Sequence, residues 1–190
     1  NTASLFKCAE QQELISLEKM GFVESQIKFP KKSVELKTIN QYQEKRNFPA
    51  ANGTSLISVH LRFGTISIRS LVNKSLKLSE TYLNELIWRD FYQMILFHFP
   101  HSAENSFRKQ YDLIEWEKNM DNFELWCQGK TGYPMVDAGM RELNETGFMH
   151  NRVRMVVASF FTKHLLLDWR LGAAYFAEKL LDFELASNTG

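Results

Sequence analysis

Three side chains that could do chemistry lie within little more than one turn of a predicted long helix: Glu85, Trp88 and Arg89. Residues three and four apart share one helix face, so this spacing places the carboxylate beside both the indole and the guanidinium. A carboxylate, an indole and a guanidinium therefore converge on one side of the helix. The same spacing also fits an ordinary surface ion pair between Glu85 and Arg89 beside a core tryptophan. The helix alone leaves both interpretations open.

A second polar group follows Gly147, at the predicted start of another helix, and consists of Asn151, Arg152 and Arg154. The exposed N–H groups and the positive dipole end of a helix start favour an anion such as phosphate. Arginines at a helix start are electrostatically unfavourable, because they lie at the positive end of the helix dipole, unless an anion or a carboxylate lies next to them. The sequence leaves open whether that partner is a bound phosphate or a carboxylate from another helix.

A loop rich in hydroxyl groups lies at residues 54–58, directly after the flexible pair Asn52 and Gly53. Hydroxyl and backbone donors in such a loop could wrap a phosphate, although the pattern by itself is weak. Its candidate residues are Thr54, Ser55, Ile57 and Ser58.

Two other patterns are rejected as sites. Residues 129–131 resemble the end of a nucleotide-binding P-loop, but Glu124 stands where the first glycine is required and no strand is predicted before it. Pro100 separates His98 from a second histidine at position 101, and no further ligands are nearby, so no metal site is predicted.

The chain is rich in aromatic side chains, with 15 Phe, 6 Tyr and 4 Trp among its 190 residues. Most of them are expected to form the core. An aromatic-rich helical domain also suits a flat redox cofactor and electron transfer between indoles. The tryptophans are Trp88, Trp116, Trp126 and Trp169.

The elements that must position these groups are helical almost throughout, because apolar residues recur at helical spacing and no alternating strand pattern flanked by hairpin turns is found. The sequence therefore predicts an all-α fold built as one globular unit. Glycine, proline and capping residues place helices at about 9–20, 33–46, 67–72, 79–98, 121–129, 134–147, 150–167 and 170–182.

Composition restricts the partners. The formal net charge is only +1, which argues against non-specific coating of nucleic acid. Basic residues without acids concentrate in residues 59–79 and 146–167, which fits docking of a phosphate backbone or ordinary solvated charges. Cys8 and Cys127 form no metal or redox motif, so we expect a reducing, cytoplasmic compartment. No leader pattern and no membrane-spanning run is found.

Four segments resemble, in the same order, the flavin domain of the photolyase and cryptochrome family. They are residues 41–70, with T-S-L-I-S, 82–92, with N-E-L-I-W-R-D-F-Y, 128–155, with G-F-M-H-N-R-V-R-M, and 181–188, with L-D-F-E-L-A-S-N. The resemblance covers about residues 34–190 and implies a multi-helical FAD-binding domain. We expect residues 1–33 to be a connector from an N-terminal antenna domain, and the last part of the family's flavin domain to lie beyond Gly190. Such a fragment is expected to bind FAD poorly or not at all.

The resemblance implies a folded FAD among the helices. Tyr42 and the loop candidates at 54–58 would line its phosphates. The other FAD-binding positions implied are Glu85, Arg89, Asn151, Arg154, Asp182, Glu184 and Asn188. At several positions the chain departs from the family pattern: Leu56, Val59, Tyr82, Phe183 and Glu184. The last two weaken the inferred flavin contacts near the C-terminus.

The implied activity is repair of cyclobutane pyrimidine dimers in UV-damaged DNA, of the microbial photolyase type, by light-driven electron transfer from reduced FAD. Photolyases are themselves among the enzymes known to extrude their target base. Glu85, Trp88 and Asn188 would be catalytic, and Trp88, Arg152 and Met155 would contact DNA. Trp116 and Trp169 resemble members of the family's electron-transfer chain.

The alternatives are a cryptochrome-like blue-light receptor without repair activity, and a helical binding module that has lost its flavin. Retention of a dimer pocket favours repair over sensing. The antenna chromophore would belong to the N-terminal domain. The full-length protein is expected to be a monomer without membrane contact.

Overall fold

The computed structural model describes residues 14–189, which are helical with connecting loops. Within this range the all-α prediction is confirmed, since the β-structure there is one isolated bridge between Glu117 and Leu167. The helices are α1 (Leu36–Asn40), α2 (Tyr42–Lys45), α3 (Ser58–Arg62), α4 (Ile68–Leu78), α5 (Glu80–His98), α6 (Met120–Gln128), α7 (Pro134–Thr146), α8 (Asn151–Ser159), α9 (Trp169–Lys179) and α10 (Leu185–Thr189). Two 3₁₀ segments (Pro100–Ala103 and Lys109–Leu113) and a π-helical turn (Phe160–His164) complete them.

Two clusters of buried apolar side chains hold these helices together. In the C-terminal cluster, Trp126 is fully buried among side chains that include Met140 and Phe161. In the N-terminal cluster, Ile39 of α1 packs with residues of α4 and α5 such as Leu86. The long helix α5 belongs to the N-terminal cluster and α8 to the C-terminal one, so the site described below lies between the two.

Helix α5 starts where the sequence signals predict. The Ser79 hydroxyl accepts a hydrogen bond from the backbone N–H of Tyr82 and caps the first turn. The helix ends at His98, shortly before Pro100. Nineteen residues of regular helix thus carry Glu85 and Arg89 at fixed spacing.

The close packing of α7 against α8 sets the position of the second polar group. Gly139 permits it, because a Cβ there would lie 2.4 Å from a methyl carbon of Val153. Gly147 ends α7, as predicted from the sequence, and adopts the left-handed conformation with φ +71°. The carbonyl of Gly147 then accepts a hydrogen bond from the N–H of Leu181, which ties the segment before α10 to the start of α8.

Several predicted helix boundaries are wrong. The described part of the 9–20 helix is a turn at 17–21, and its beginning lies outside the described residues. The 33–46 helix is two short helices, because the backbone at Gln41 leaves the helical region with ψ 5°. Helix α4 continues to Leu78, beyond the predicted end at 72. Asn119 caps α6 in place of Asp121.

No helix within residues 14–189 is both long and apolar enough to cross a membrane.

Candidate functional site

A cavity of about 830 Å³ lies between the two core clusters, with walls from α3, α5, α8, α10 and the loop before α3. Its volume falls in the range of roughly 300–1,000 Å³ typical of cofactor and ligand sites. All twelve positions predicted to bind a cofactor line it: Tyr42, Thr54, Ser55, Ile57, Ser58, Glu85, Arg89, Asn151, Arg154, Asp182, Glu184 and Asn188.

The hydroxyl loop forms one wall and is held in place by tyrosines. The Tyr82 hydroxyl donates to Ser55 Oγ at 2.9 Å, which leaves the serine hydrogen free to point elsewhere. Burial raises the pKa of Tyr82, so its phenol stays protonated as a donor. Tyr42 meets the Tyr82 ring edge to face at 4.9 Å. The departure at Leu56 adopts φ +50°, a left-handed conformation that is costly for a residue with a side chain.

The surface ion-pair interpretation required Glu85 to pair with Arg89, and the two side chains do not pair. The Glu85 carboxylate accepts a hydrogen bond from Arg46 at the end of α2, 39 residues earlier in the chain. Burial, together with the nearby Glu85 carboxylate, raises the pKa of Tyr42 to about 12. The phenol therefore stays neutral through the physiological pH range, beside the ion pair.

Two of the cavity arginines form ion pairs with carboxylates that lie just before α10. Arg89 donates to Glu184 at 3.0 Å, and Gln93 donates to the same carboxylate at 2.9 Å. Arg154 donates to both oxygens of Asp182, at 2.9 and 3.0 Å. At Arg154 the carboxylate alternative is therefore the one that the structure contains, although Asp182 comes from the segment before α10 and not from a helix.

The start of α8 brings further polar groups to the wall. Asn151 lines the cavity, and His150 before it caps the helix by accepting the N–H of Arg152 at Nδ1. Because Nδ1 accepts, the neutral ring carries its proton on Nε2. That nitrogen is buried and has no hydrogen-bond partner among the described residues. An unsatisfied buried donor of this kind is expected where a ligand completes a site.

The predicted DNA-contacting residues divide into two groups. Met155 lines the cavity and is 55% exposed. Trp88 and Arg152 are not among its lining residues. Arg152 is exposed and donates to Asn47 at 3.0 Å. Trp88 is 51% exposed, which overturns the core interpretation, and it stacks on Tyr92 with ring centroids 5.7 Å apart.

The predicted electron-transfer residues also lie away from the cavity lining. Trp116 is half-buried just before the isolated bridge, whose second residue, Leu167, lies two residues before the start of α9. Trp169 opens α9, and the guanidinium of Arg170 lies 4.8 Å from its ring centroid. The bridge thus connects the two short segments that carry the indoles.

Sequence reasoning missed Arg46, Arg62 and Glu142. The partner of Glu85 could not be found from local spacing, because it lies on another element. Arg62 had a detectable signal: it stands four residues after Ser58 and therefore on the same helix face. Arg62 and Glu142 of α7 line the cavity, whereas Arg46 pairs with the lining residue Glu85 from outside it.

Among residues 14–189 no group of three or more metal-binding side chains comes together. The chemistry of the cavity is that of hydroxyl, amide and guanidinium donors facing apolar walls that include Met149 and Phe176. This combination suits an elongated ligand with both an anionic part and a flat apolar part.

The model of one protein family, the FAD-binding domain of DNA photolyase, matches residues 82–190. A deoxyribodipyrimidine photo-lyase of Neurospora crassa is 46% identical over 165 residues, covering 80% of this chain and 27% of the relative. The chain spans roughly a third of the length of the curated relatives it matches.

Two solved structures resemble the fold. A class III photolyase from Agrobacterium tumefaciens superposes with a TM-score of 0.76 at 42% identity, over 80% of this chain and 33% of that protein. A cryptochrome from Synechocystis gives a TM-score of 0.75 at 34% identity, over 87% of this chain and 40% of that one. The volume, the hydroxyl loop and the unsatisfied donor at His150 are compatible with a ligand of the size and charge of FAD.

Proposed function

The chain belongs to the DNA photolyase family, and from that premise we propose that its cavity binds FAD and serves the light-driven repair of cyclobutane pyrimidine dimers in DNA. The observation that carries this proposal is the convergence of the twelve positions that the sequence resemblance implied, spread from residue 42 to residue 188, on the wall of one cavity. A core built for packing alone has no reason to bring hydroxyl, amide and guanidinium groups to one open space.

We propose that the loop residues Thr54, Ser55 and Ser58 hold the phosphates of the cofactor. The free hydrogen of the Ser55 hydroxyl supports this role, because Tyr82 already satisfies the serine oxygen. Asn188 of α10 also lines the cavity and would place its amide against the flavin ring. When bound and reduced, FAD supplies the electron that light transfers to the substrate.

On the substrate side, Glu85 would hydrogen-bond or protonate the dimer. Its pairing with Arg46 keeps the carboxylate oriented until a substrate group replaces the guanidinium. Trp88 would pack against the dimer with the indole face that it leaves exposed, and Met155 would do so from α8. Arg152, exposed beside the start of α8, would hold a neighbouring phosphate.

We propose that Trp116 and Trp169 serve electron transfer to the flavin. The bridge between their segments supports a fixed separation of the two rings. The division into a connector at 1–33 and a flavin domain at 34–190 is likewise part of the proposal.

The test is a repair assay on the full-length protein, purified with its bound flavin and reduced. A defined oligonucleotide with one thymine dimer is incubated under blue light and in the dark. Repair in the light alone is expected, and the variant Glu85→Ala should repair far more slowly while keeping its flavin. A protein that holds FAD and changes its absorbance in light, yet leaves the dimer intact, would be a cryptochrome-like receptor.

A further inference from the structure

The three arginines that line the cavity differ in whether a carboxylate already neutralises their charge. Its lining includes three arginines and four carboxylates within the described residues. Arg89 is paired with Glu184 and Arg154 with Asp182, while Glu85 is paired with Arg46 from outside the lining. A ligand with a doubly charged diphosphate therefore meets two guanidiniums whose charge is already neutralised.

Arg62 is the cavity-lining guanidinium with no carboxylate partner in the part of the chain that the structure describes. Its Nε donates to the backbone carbonyl of Phe183 at 2.8 Å. That bond fixes the plane of the guanidinium and leaves its two terminal nitrogens without a protein partner among the described residues. Ser58 stands one turn before it on the same face of α3, and both line the cavity.

We infer that Arg62 is a cofactor-binding residue whose guanidinium takes the diphosphate of FAD, acting together with the hydroxyl loop at 54–58. This inference rests on the proposed binding of FAD and adds a residue to it. A diphosphate placed against Arg154 or Arg89 would compete with the Asp182 or Glu184 carboxylate that already pairs with it, whereas Arg62, bonded to the carbonyl of Phe183, has no ion pair to displace among the described residues.

The chemistry of the residue fits this role. A guanidinium held at one nitrogen presents its other N–H groups as a fork that matches phosphate oxygens. The position of the loop matters equally, because the Ser58 and Ser55 hydroxyls can donate to the same group from the same wall.

The experiment measures flavin binding to the full-length apoprotein by fluorescence quenching, with FAD and with riboflavin, which lacks the diphosphate. The variants are Arg62→Gln, Arg62→Lys and the matched control Arg69→Gln, an exposed arginine that does not line the cavity. Arg62→Gln should weaken FAD binding by about tenfold to a hundredfold, as expected for loss of hydrogen bonds to a charged group. Arg62→Lys should recover part of that loss, and Arg69→Gln should bind FAD as the wild type does.

A second readout separates binding from folding. The thermal unfolding midpoint of the Arg62→Gln apoprotein should equal that of the wild type. In this variant ADP should compete with FAD for the cavity more weakly, by the same factor by which the FAD affinity falls. FAD binding at wild-type strength in Arg62→Gln would overturn the inference, as would an equal loss for FAD and riboflavin or a lowered unfolding midpoint. If the wild-type protein itself binds no FAD, the proposed function fails instead.

Discussion

Replacing Trp88 by alanine in the full-length protein separates lesion binding from folding. The indole is 51% exposed and makes its ring contacts with Phe91 and Tyr92 of its own helix. Truncating a buried aromatic residue costs roughly 3–5 kcal/mol, so a half-exposed one should cost on the order of 2 kcal/mol or less. Stacking of a base on an indole contributes roughly 1–3 kcal/mol. We therefore expect lesion affinity to fall by about tenfold to a hundredfold.

The assay compares dimer-containing and undamaged duplexes on one preparation, together with flavin content and the unfolding midpoint. Undamaged DNA is held mainly through its phosphates, so its affinity should change little. The matched control is Ile87→Ala, which removes a similarly exposed apolar side chain from the same helix and should leave both affinities unchanged. A Trp88→Ala protein that binds both duplexes as the wild type does, or that loses its flavin, refutes the reasoning.

Three further predictions concern stability. Asp182→Asn leaves Arg154 without its carboxylate, and because Asp182 is nearly buried while Arg154 keeps 26% exposure we expect a loss of about 1–3 kcal/mol in urea unfolding. Gly139→Ala places a methyl group 2.4 Å from a carbon of Val153, so α7 and α8 must separate, at a cost of roughly 1–3 kcal/mol in the same assay. Burial alone would raise the pKa of Asp137, but hydrogen bonds from Thr131 and Gly132 outweigh the effect of burial and lower the pKa. Its contribution to stability is therefore complete above the unfolded pKa near 4 and is lost as the pH falls below it, which acid titration of the unfolding midpoint should detect.

Each of these has a control and a contradicting outcome. The control for Asp182→Asn is Glu178→Gln, which removes the exposed carboxylate paired with Lys179 and should cost less than about 1 kcal/mol. If both substitutions cost the same, the Asp182 ion pair stabilises the fold no more than an exposed one, which contradicts the prediction. A wild-type midpoint in Gly139→Ala would mean that α7 and α8 are not in contact there. In Asp137→Asn the acid-dependent loss should shrink, and an unchanged pH profile would show that other carboxylates produce it.

Local signals predicted much of this fold because they act within a few residues. The Ser79 cap, the proline at the start of α7 and the left-handed Gly147 at its end each specify a helix boundary by themselves. The break at Gln41 was missed because no glycine or proline marks it. Packing of the short helices around Ile39 overrides the local preference there.

The lining of the cavity was predictable and its pairing was not. The positions were found from motifs, but the partner of Glu85 lies 39 residues away and that of Arg89 lies 95 residues away. Tertiary packing selects such partners, and no spacing rule reaches that far. The exposure of Trp88 was ambiguous for a related reason: α5 carries apolar residues on several faces, so its core side cannot be read from periodicity.

The most direct test of the central claim is an action spectrum of repair. Full-length, reduced protein is mixed with dimer-containing DNA, and the rate of dimer reversal is measured at a series of wavelengths under limiting light. If the cavity holds the flavin that drives the reaction, the rate should follow the absorbance of the bound cofactors, vanish in the dark and fall strongly in Glu85→Ala. A rate of dimer reversal that does not depend on wavelength would contradict the account. So would the absence of dimer reversal in a protein that retains reduced FAD.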